Sequence, residues 1–385
     1  MKKVNKNKIA LTGGAAAAEA LKQIEPDVMA VYPITPQTPI IETYAKFQAD
    51  GEVETEIIQV ESEHSAISAC VGASAAGART VTATSSQGLA LMNEILYVAS
   101  GTRLPILMLV SARALSAPIN IHGDHSDVMG ARDTGWIQIF SENSQEVYDN
   151  TIIGMKLAEK VNIPVMVIMD GFNTSHCVEN LEILDKKTVQ KFVGEYKPKN
   201  CLLDIKNPVT FGPLALQNSY FDFKVDQEMA MQDSEKEYEK IIQEYEKISG
   251  RKKDYFEEYR TKDTENIIVV MGSAAGTIKD VVDRLRLKGR KVGVLKMNLF
   301  RPFPHKKIAK VLKNAKNIAV LDRAQSIGTY PPLYTEIFQS ICGKANISSY
   351  VYGLGGRDVF ARDIEKVFTE ISKGKQNKEI KYIGA

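Results

Sequence analysis

Cysteine is scarce and unpatterned in this chain. Cys70, Cys177, Cys201 and Cys342 lie far apart, with no CxxC and no histidines clustered beside them. An iron–sulfur cluster needs about four thiolates brought to one place, usually with some at short spacing. A cluster held by this chain alone is therefore not expected, and four buried or free thiols suit a reducing, cytoplasmic setting. Charge of one sign is lacking too. Lys+Arg at 49 nearly cancels Asp+Glu at 47, leaving a formal charge of +2. No strong overall field exists to draw in a polyanion, so neither nucleic acid nor a membrane surface is expected as a partner. Long hydrophobic runs are missing as well: none reaches the roughly eighteen residues a bilayer span needs. The longest candidates, such as LPILMLV at 104–110, have the length of buried strands. The opening MKKVNKNKIALTGGAAAAEA is broken by Gly13-Gly14 and Glu19 and has no cleavage-type ending, so a signal peptide is not expected.

What is present suits a soluble globular protein. The 385 residues are 44% hydrophobic and 25% charged, enough for two or three domains with real cores. Over the first 175 residues, short apolar runs alternate with helix-like stretches: DVMAVY (27–32), ETEIIQV (54–60), TVTAT (80–84), PILMLV (105–110) and PVMVIMD (164–170). That alternation predicts βαβ units around a parallel sheet. The pattern loosens from about 176 to 224. Residues 228–260 are then dense in mixed charge with Ile and Tyr at helical spacing, which predicts one amphipathic helix, or two broken at Gly250. A second α/β unit begins at IIVVMGS (267–273) and continues through VGVLKMN (292–298), NIAVLDR (317–323) and SSYVYGLGGRD (348–358). The expected division is an α/β domain over 1–227, a charged helical linker over 228–262, and a second α/β domain over 263–385.

In an open parallel sheet, ligands bind beyond the carboxyl ends of the strands. Successive strand ends here carry Tyr32-Pro33-Ile34-Thr35-Pro36, Glu61-Ser62-Glu63-His64, Ser85-Ser86-Gln87-Gly88, Ser111-Ala112-Arg113 and Asp170-Gly171. Ser62 is a plausible N-cap, placing Glu63 in the first turn of an Ala-rich helix. Acids are favoured there by the helix dipole alone, although Glu56, Glu61 and Glu63 crowd three acids beside one strand. Arg113 at a strand end can clamp a carboxylate or phosphate through two parallel hydrogen bonds, or pair with Asp124 or Asp127. Thr35, between Pro33 and Pro36, has its backbone restricted and its hydroxyl aimed, or is simply a turn residue. His122 and His125 with Asp124 and Asp127 sit too loosely on a loop to define a metal site, and no metal is expected on this chain. GSAAG (272–276) lacks the full GxGxxG and the P-loop lysine. There, and in LGGRD (354–358), tight packing of strand on helix is the simpler reading.

Five strings in order carry a resemblance: YPITPQTPIIE, VESEHSAISACVGASAAGARTVTATSSQGLALMNE, SARALSAP, RDTGWIQIFSENSQEVYD and GLGGRDV. Together they resemble the alpha subunit of the pyruvate:ferredoxin oxidoreductase family, the 2-oxoacid:acceptor oxidoreductases that use thiamine diphosphate and coenzyme A. The likeness covers essentially the whole chain, strongest over 1–175 and softest over 176–262. It implies a pyrimidine-binding α/β domain with a parallel sheet, followed by a transketolase-C-terminal-like α/β domain. In this family the beta subunit binds the diphosphate and Mg²⁺ through a GDG motif; GDHSD at 123–127 follows a loop and lacks the downstream pattern. The resemblance therefore implies a half-site, inactive without partners: a beta subunit with the diphosphate end and a [4Fe-4S] cluster, gamma and delta subunits, and ferredoxin as acceptor.

The family's catalytic carboxylate falls on Glu63, where a hydrogen bond to ring nitrogen N1′ favours the imino form of thiamine's 4′-amine. Thr35 and Arg113 match positions that hold the carbonyl and carboxylate of the substrate, and Pro33 matches a residue lining the pyrimidine. The GLGGRD turn matches a family signature with no chemical role assigned. The implied reaction is oxidative decarboxylation of a 2-oxoacid to its acyl-CoA, pyruvate first and branched-chain 2-oxoacids second. Other readings are the transketolase-like component of a lipoamide-linked dehydrogenase complex, or a non-catalytic scaffold.

Overall fold

The computed structural model describes residues 7–374 and 379–385. Two sheets organise them. The first has seven strands in the spatial order Leu299–Arg301, Ile137–Phe140, Val165–Asp170, Ile106–Ala112, Thr80–Thr84, Val28–Val31 and Glu56–Gln59. All of its neighbours run parallel except Leu299–Arg301, which lies antiparallel to Ile137–Phe140. The central strands are buried along their whole length. Helices cover both faces of a parallel sheet, so such strands read as continuous apolar runs rather than alternating ones. The edge strand Glu56–Gln59 keeps Glu56 and Gln59 exposed.

The second sheet has six strands in the order Lys381–Tyr382, Asn346–Val351, Asn317–Asp322, Asn266–Met271, Val292–Met297 and Phe256–Tyr259, the last antiparallel to its neighbour. A separate antiparallel pair joins Asn7–Thr12 to Val178–Ile183. The fold is thus α/β with parallel sheets in both halves, as expected from the alternation of apolar and helical runs.

The charged stretch after residue 224 is one unbroken helix, Tyr220–Ser249, which ends where Gly250 takes a left-handed conformation (φ 69°) and its N–H returns to the Glu246 carbonyl. Glycine suits that cap because it has no Cβ to clash. Tyr238, Ile241, Ile242 and Tyr245 form its buried stripe, with the Tyr245 hydroxyl donating to Asp149 at 2.7 Å. Phe256–Tyr259, inside the segment expected as linker, adds a strand to the second sheet.

The halves are locked together at the carboxyl end of Val165–Asp170. Asp170 is almost wholly buried. It accepts from Arg323 Nη1 at 2.8 Å, from Ser273 N at 2.9 Å and from Ser273 Oγ at 2.5 Å, and meets His125 Nε2 at 2.6 Å. Arg323 and Ser273 follow strands of the second sheet, so the GSAAG turn serves as a seam between the halves.

Candidate active site

Strand order in the first sheet reverses between Val28–Val31 and Thr80–Thr84: one continues outward to Glu56–Gln59, the other inward to Ile106–Ala112. Loops leaving such a reversal diverge and open a crevice. Gln37 spans it, its Nε2 donating to the Tyr32 carbonyl at 3.0 Å and the Ala83 carbonyl at 3.2 Å. Its Oε1 is buried with no hydrogen-bond partner, as is Thr84 Oγ1.

Glu63 is the first residue of the helix Glu63–Ala75, and the Ser62 hydroxyl caps that helix by accepting from Ser65 N at 3.2 Å. The side chain turns inward and is only 7% exposed. Among the described residues it has no hydrogen-bond or ion-pair partner. Gly88 comes so close that a β-carbon there would meet Glu63 Oε1 at 2.6 Å and Thr84 Oγ1 at 2.5 Å. An acid placed in a first turn merely to satisfy the helix dipole would be free to face water. This one is buried against a bare backbone, beside an unsatisfied hydroxyl.

Arg113, also 7% exposed, follows the strand Ile106–Ala112. Its Nη1 donates to the Thr35 carbonyl and its Nε to the Asn120 carbonyl, both at 2.9 Å. The alternative pairing of the guanidinium with Asp124 or Asp127 does not form. The Asp127 carboxylate accepts from Arg113 N at 2.9 Å, from Ser86 N at 2.7 Å and from Val128 N at 2.7 Å. Asp124 binds Ser126 N and Gly355 N instead. Among the described residues no carboxylate pairs with the Arg113 guanidinium. A buried charge without a counter-ion costs several kcal/mol, so the arginine is held ready for an anion. Burial pushes the Asp127 carboxyl up to about 7, against the pull of its three N–H donors.

Thr35 is thereby tied to Arg113 through its backbone, with its residue exposed on the same edge as Pro33. The four expected residues lie at the carboxyl ends of one sheet: Arg113 bonds Thr35, Asp127 bridges Arg113 to the Ser86 turn, and that turn carries Gly88 against Glu63. Sequence reasoning passed over Gln37, Gly88 and the bridging part of Asp127. Gly88 closes the strand-end run Ser85-Ser86-Gln87-Gly88, but nothing local says which side chain it must clear.

The histidine-rich loop does not converge on an ion. His125 faces Asp170, Asp124 faces Ser126 and Asp127 faces backbone. No group of three metal-ligating side chains exists among the described residues. All four cysteines are free, with Cys70 buried and Cys177 and Cys342 exposed. Among the described residues no helix is long and apolar enough to cross a membrane.

Fold and crevice together define an α/β protein whose candidate site lies at the reversal point of a parallel sheet. Comparison with known proteins narrows this. Residues 19–247 match the family model for pyruvate flavodoxin/ferredoxin oxidoreductase, thiamine-diphosphate-binding, and residues 264–364 match pyruvate:ferredoxin oxidoreductase core domain II. Pyruvate synthase subunit PorA of Thermotoga maritima is 53% identical over 95% of both chains. Ketoisovalerate oxidoreductase subunit VorA of Pyrococcus horikoshii is 41% identical over 98% of both. Among solved structures, 2-oxoglutarate:ferredoxin oxidoreductase from Magnetococcus marinus superimposes with a TM-score of 0.67 at 20% identity, covering 95% of this chain and 65% of that one. The chain belongs to the pyruvate flavodoxin/ferredoxin oxidoreductase family.

The residues present fit thiamine diphosphate. An aminopyrimidine needs an unpaired carboxylate at its ring nitrogen and polar acceptors for its amine, in a slot no side chain fills. Glu63 is buried and unpaired, Gln37 Oε1 and Thr84 Oγ1 are orphaned, and glycine at 88 keeps the space beside Glu63 open.

Proposed function

We propose that this chain is the pyrimidine-side subunit of a multisubunit pyruvate:ferredoxin oxidoreductase. Its assembly converts pyruvate and coenzyme A to acetyl-CoA and carbon dioxide, and passes two electrons singly to ferredoxin. The observation that carries this is a pair of buried, oppositely charged side chains on one sheet edge, Glu63 and Arg113, neither with a charged partner among the described residues. Thiamine diphosphate supplies the electron sink for decarboxylation. Glu63 holds the proton shared with N1′ of the pyrimidine, and Pro33 lines that ring. Arg113 offers its free N–H groups to the substrate carboxylate, and the Thr35 hydroxyl donates to the 2-oxo oxygen. Arg113 compensates the carboxylate charge while the substrate is bound; carbon dioxide departs uncharged because its bonding electron pair stays behind in the electron sink.

A beta subunit contributes the diphosphate end of the cofactor with Mg²⁺ and a [4Fe-4S] cluster, and gamma and delta subunits complete the route to ferredoxin. Higher identity to a pyruvate synthase subunit than to a ketoisovalerate one favours pyruvate over branched-chain 2-oxoacids. The test is Glu63→Gln in the assembled complex, read as viologen reduction dependent on coenzyme A without any lipoyl protein. The expected outcome is a loss of at least about 100-fold with subunit assembly intact. Turnover close to that of the unaltered complex would remove Glu63 from the chemistry.

A further inference from the structure

The loop that carries Arg113 is held from outside its own domain. It leaves the sheet after Ala112 and runs out to Ile119, which is 79% exposed. Asn120 is its pivot. The Asn120 carbonyl accepts from Arg113 Nε at 2.9 Å, its Oδ1 accepts from His122 N at 2.7 Å, and its Nδ2 donates to the Gly355 carbonyl at 3.0 Å. The neighbouring links cross the same way. Gly356 N donates to the Gly123 carbonyl at 3.0 Å, Gly355 N to Asp124 Oδ2 at 3.1 Å, and His125 N to the Arg323 carbonyl at 2.8 Å.

The receiving turn, Gly353–Gly356, presents no ionisable side chain to the loop. Gly355 and Gly356 both have positive φ, 58° and 81°. A β-carbon on Gly355 would stand 2.5 Å from Asn120 Nδ2, and one on Gly356 would overlap His122 Cβ. Glycine is needed there for backbone conformation and for close approach to this loop. That accounts for a glycine string that offers no chemistry of its own.

We infer that the Gly353–Gly356 turn of the C-terminal half, acting through the positioning residue Asn120, sets the plane of the Arg113 guanidinium and thereby the affinity for the 2-oxoacid. A guanidinium is a rigid planar fork with five N–H donors. Two of its donors are spent on the Asn120 and Thr35 carbonyls, which fix where the remaining ones point. Moving the Asn120 carbonyl swings the free edge away from a bound carboxylate. The inference rests on the assignment of Arg113 to that carboxylate.

Two substitutions in the assembled complex test it. Asn120→Asp keeps the oxygen that accepts from His122 N and removes the donor to Gly355. Gly355→Ala pushes on Asn120 from the other side. Each is expected to raise KM for pyruvate about tenfold, the effect of disturbing a hydrogen bond to a charged group. KM for coenzyme A and subunit assembly should stay unchanged, and amide hydrogen exchange over residues 113–123 should quicken. In the double variant Asn120→Ala/Gly355→Ala the overlap is gone, so its KM should fall short of the product of the effects of Asn120→Ala alone and Gly355→Ala alone. Lowered thermal stability with an unmoved KM for pyruvate would make the turn a mechanical seam and overturn the inference. Arg113→Lys separates the two failures. If it leaves KM unchanged, the assignment of Arg113 falls. If it raises KM while Asn120→Asp and Gly355→Ala are silent, only the part given to the turn falls.

Discussion

A β-carbon on Gly88 would stand 2.6 Å from Oε1 and 2.8 Å from Cγ of Glu63. Gly88 lies within the helix Ser86–Leu91, where alanine is intrinsically favoured over glycine by about 1 kcal/mol. Helix propensity and the site therefore pull in opposite directions, and the glycine remains. For Gly88→Ala the helix gains while the Glu63 side chain, the movable neighbour, is pushed out of place. The helix gain offsets only part of the overpacking against Glu63 and the buried Thr84 hydroxyl, so thermal stability should fall modestly. Affinity for thiamine diphosphate, measured by calorimetric titration of the complex, should fall by roughly 5- to 100-fold, the equivalent of about 1–3 kcal/mol of overpacking. Unchanged cofactor affinity would mean Glu63 does not face the pyrimidine.

Asp127 ties the Ser86 turn to Arg113, and its carboxyl is pushed up to about 7 by burial. Its unfolded value is about 3.9, so the folded chain holds the proton more tightly. Stability from this group is then complete below about pH 4, is lost as pH rises to 7, and is level beyond. The substitution Asp127→Asn removes the ionisation but turns an amide toward N–H donors, a cost of about 1–3 kcal/mol. Between about pH 5 and 8, the melting temperature of Asp127→Asn relative to the unaltered protein should therefore be lowest at the acid end and should recover toward the alkaline end. Scanning fluorimetry across that range checks it, and a flat difference would mean Asp127 does not titrate there.

Strands whose neighbours follow the βαβ rule were legible because a fully buried strand announces itself locally. TVTAT coincides with Thr80–Thr84, and PVMVIMD differs from Val165–Asp170 by one residue. Leu299–Arg301 was not legible: three residues from within the second half of the chain pair with Ile139 and Gln138 in the first. Pairings between distant segments leave no period in either one. The same holds within the site. The residue types of Glu63, Arg113 and Thr35 could be read from strand ends, but not that Arg113 would choose carbonyls over two nearby acids. That choice depends on how the second half docks on the loop at Asn120, which no local pattern records.

Asp170 makes that docking sensitive to acid. Burial alone would raise its pKa, but Arg323, His125 and the Ser273 hydroxyl outweigh it and hold the carboxyl well below the usual carboxylate range. A depressed acid contributes stability that is fully present above its unfolded value, about 3.9, and that drains away as pH falls below it. Asp170→Asn removes the charge and leaves Arg323 buried without its counter-ion, which costs about 3–5 kcal/mol. In urea unfolding of the complex the unaltered protein should hold that full advantage from pH 7 down to about 5. The advantage should narrow as the pH drops through 4 and below. At neutral pH the variant should also show faster amide exchange around Ser273 and Arg323, because their partner across the seam is gone. An advantage that stays constant down to pH 3 would mean the Asp170 carboxyl takes up its proton equally in the folded and unfolded chains and is not held below the usual range; one that is absent at pH 7 would show that the halves are joined elsewhere.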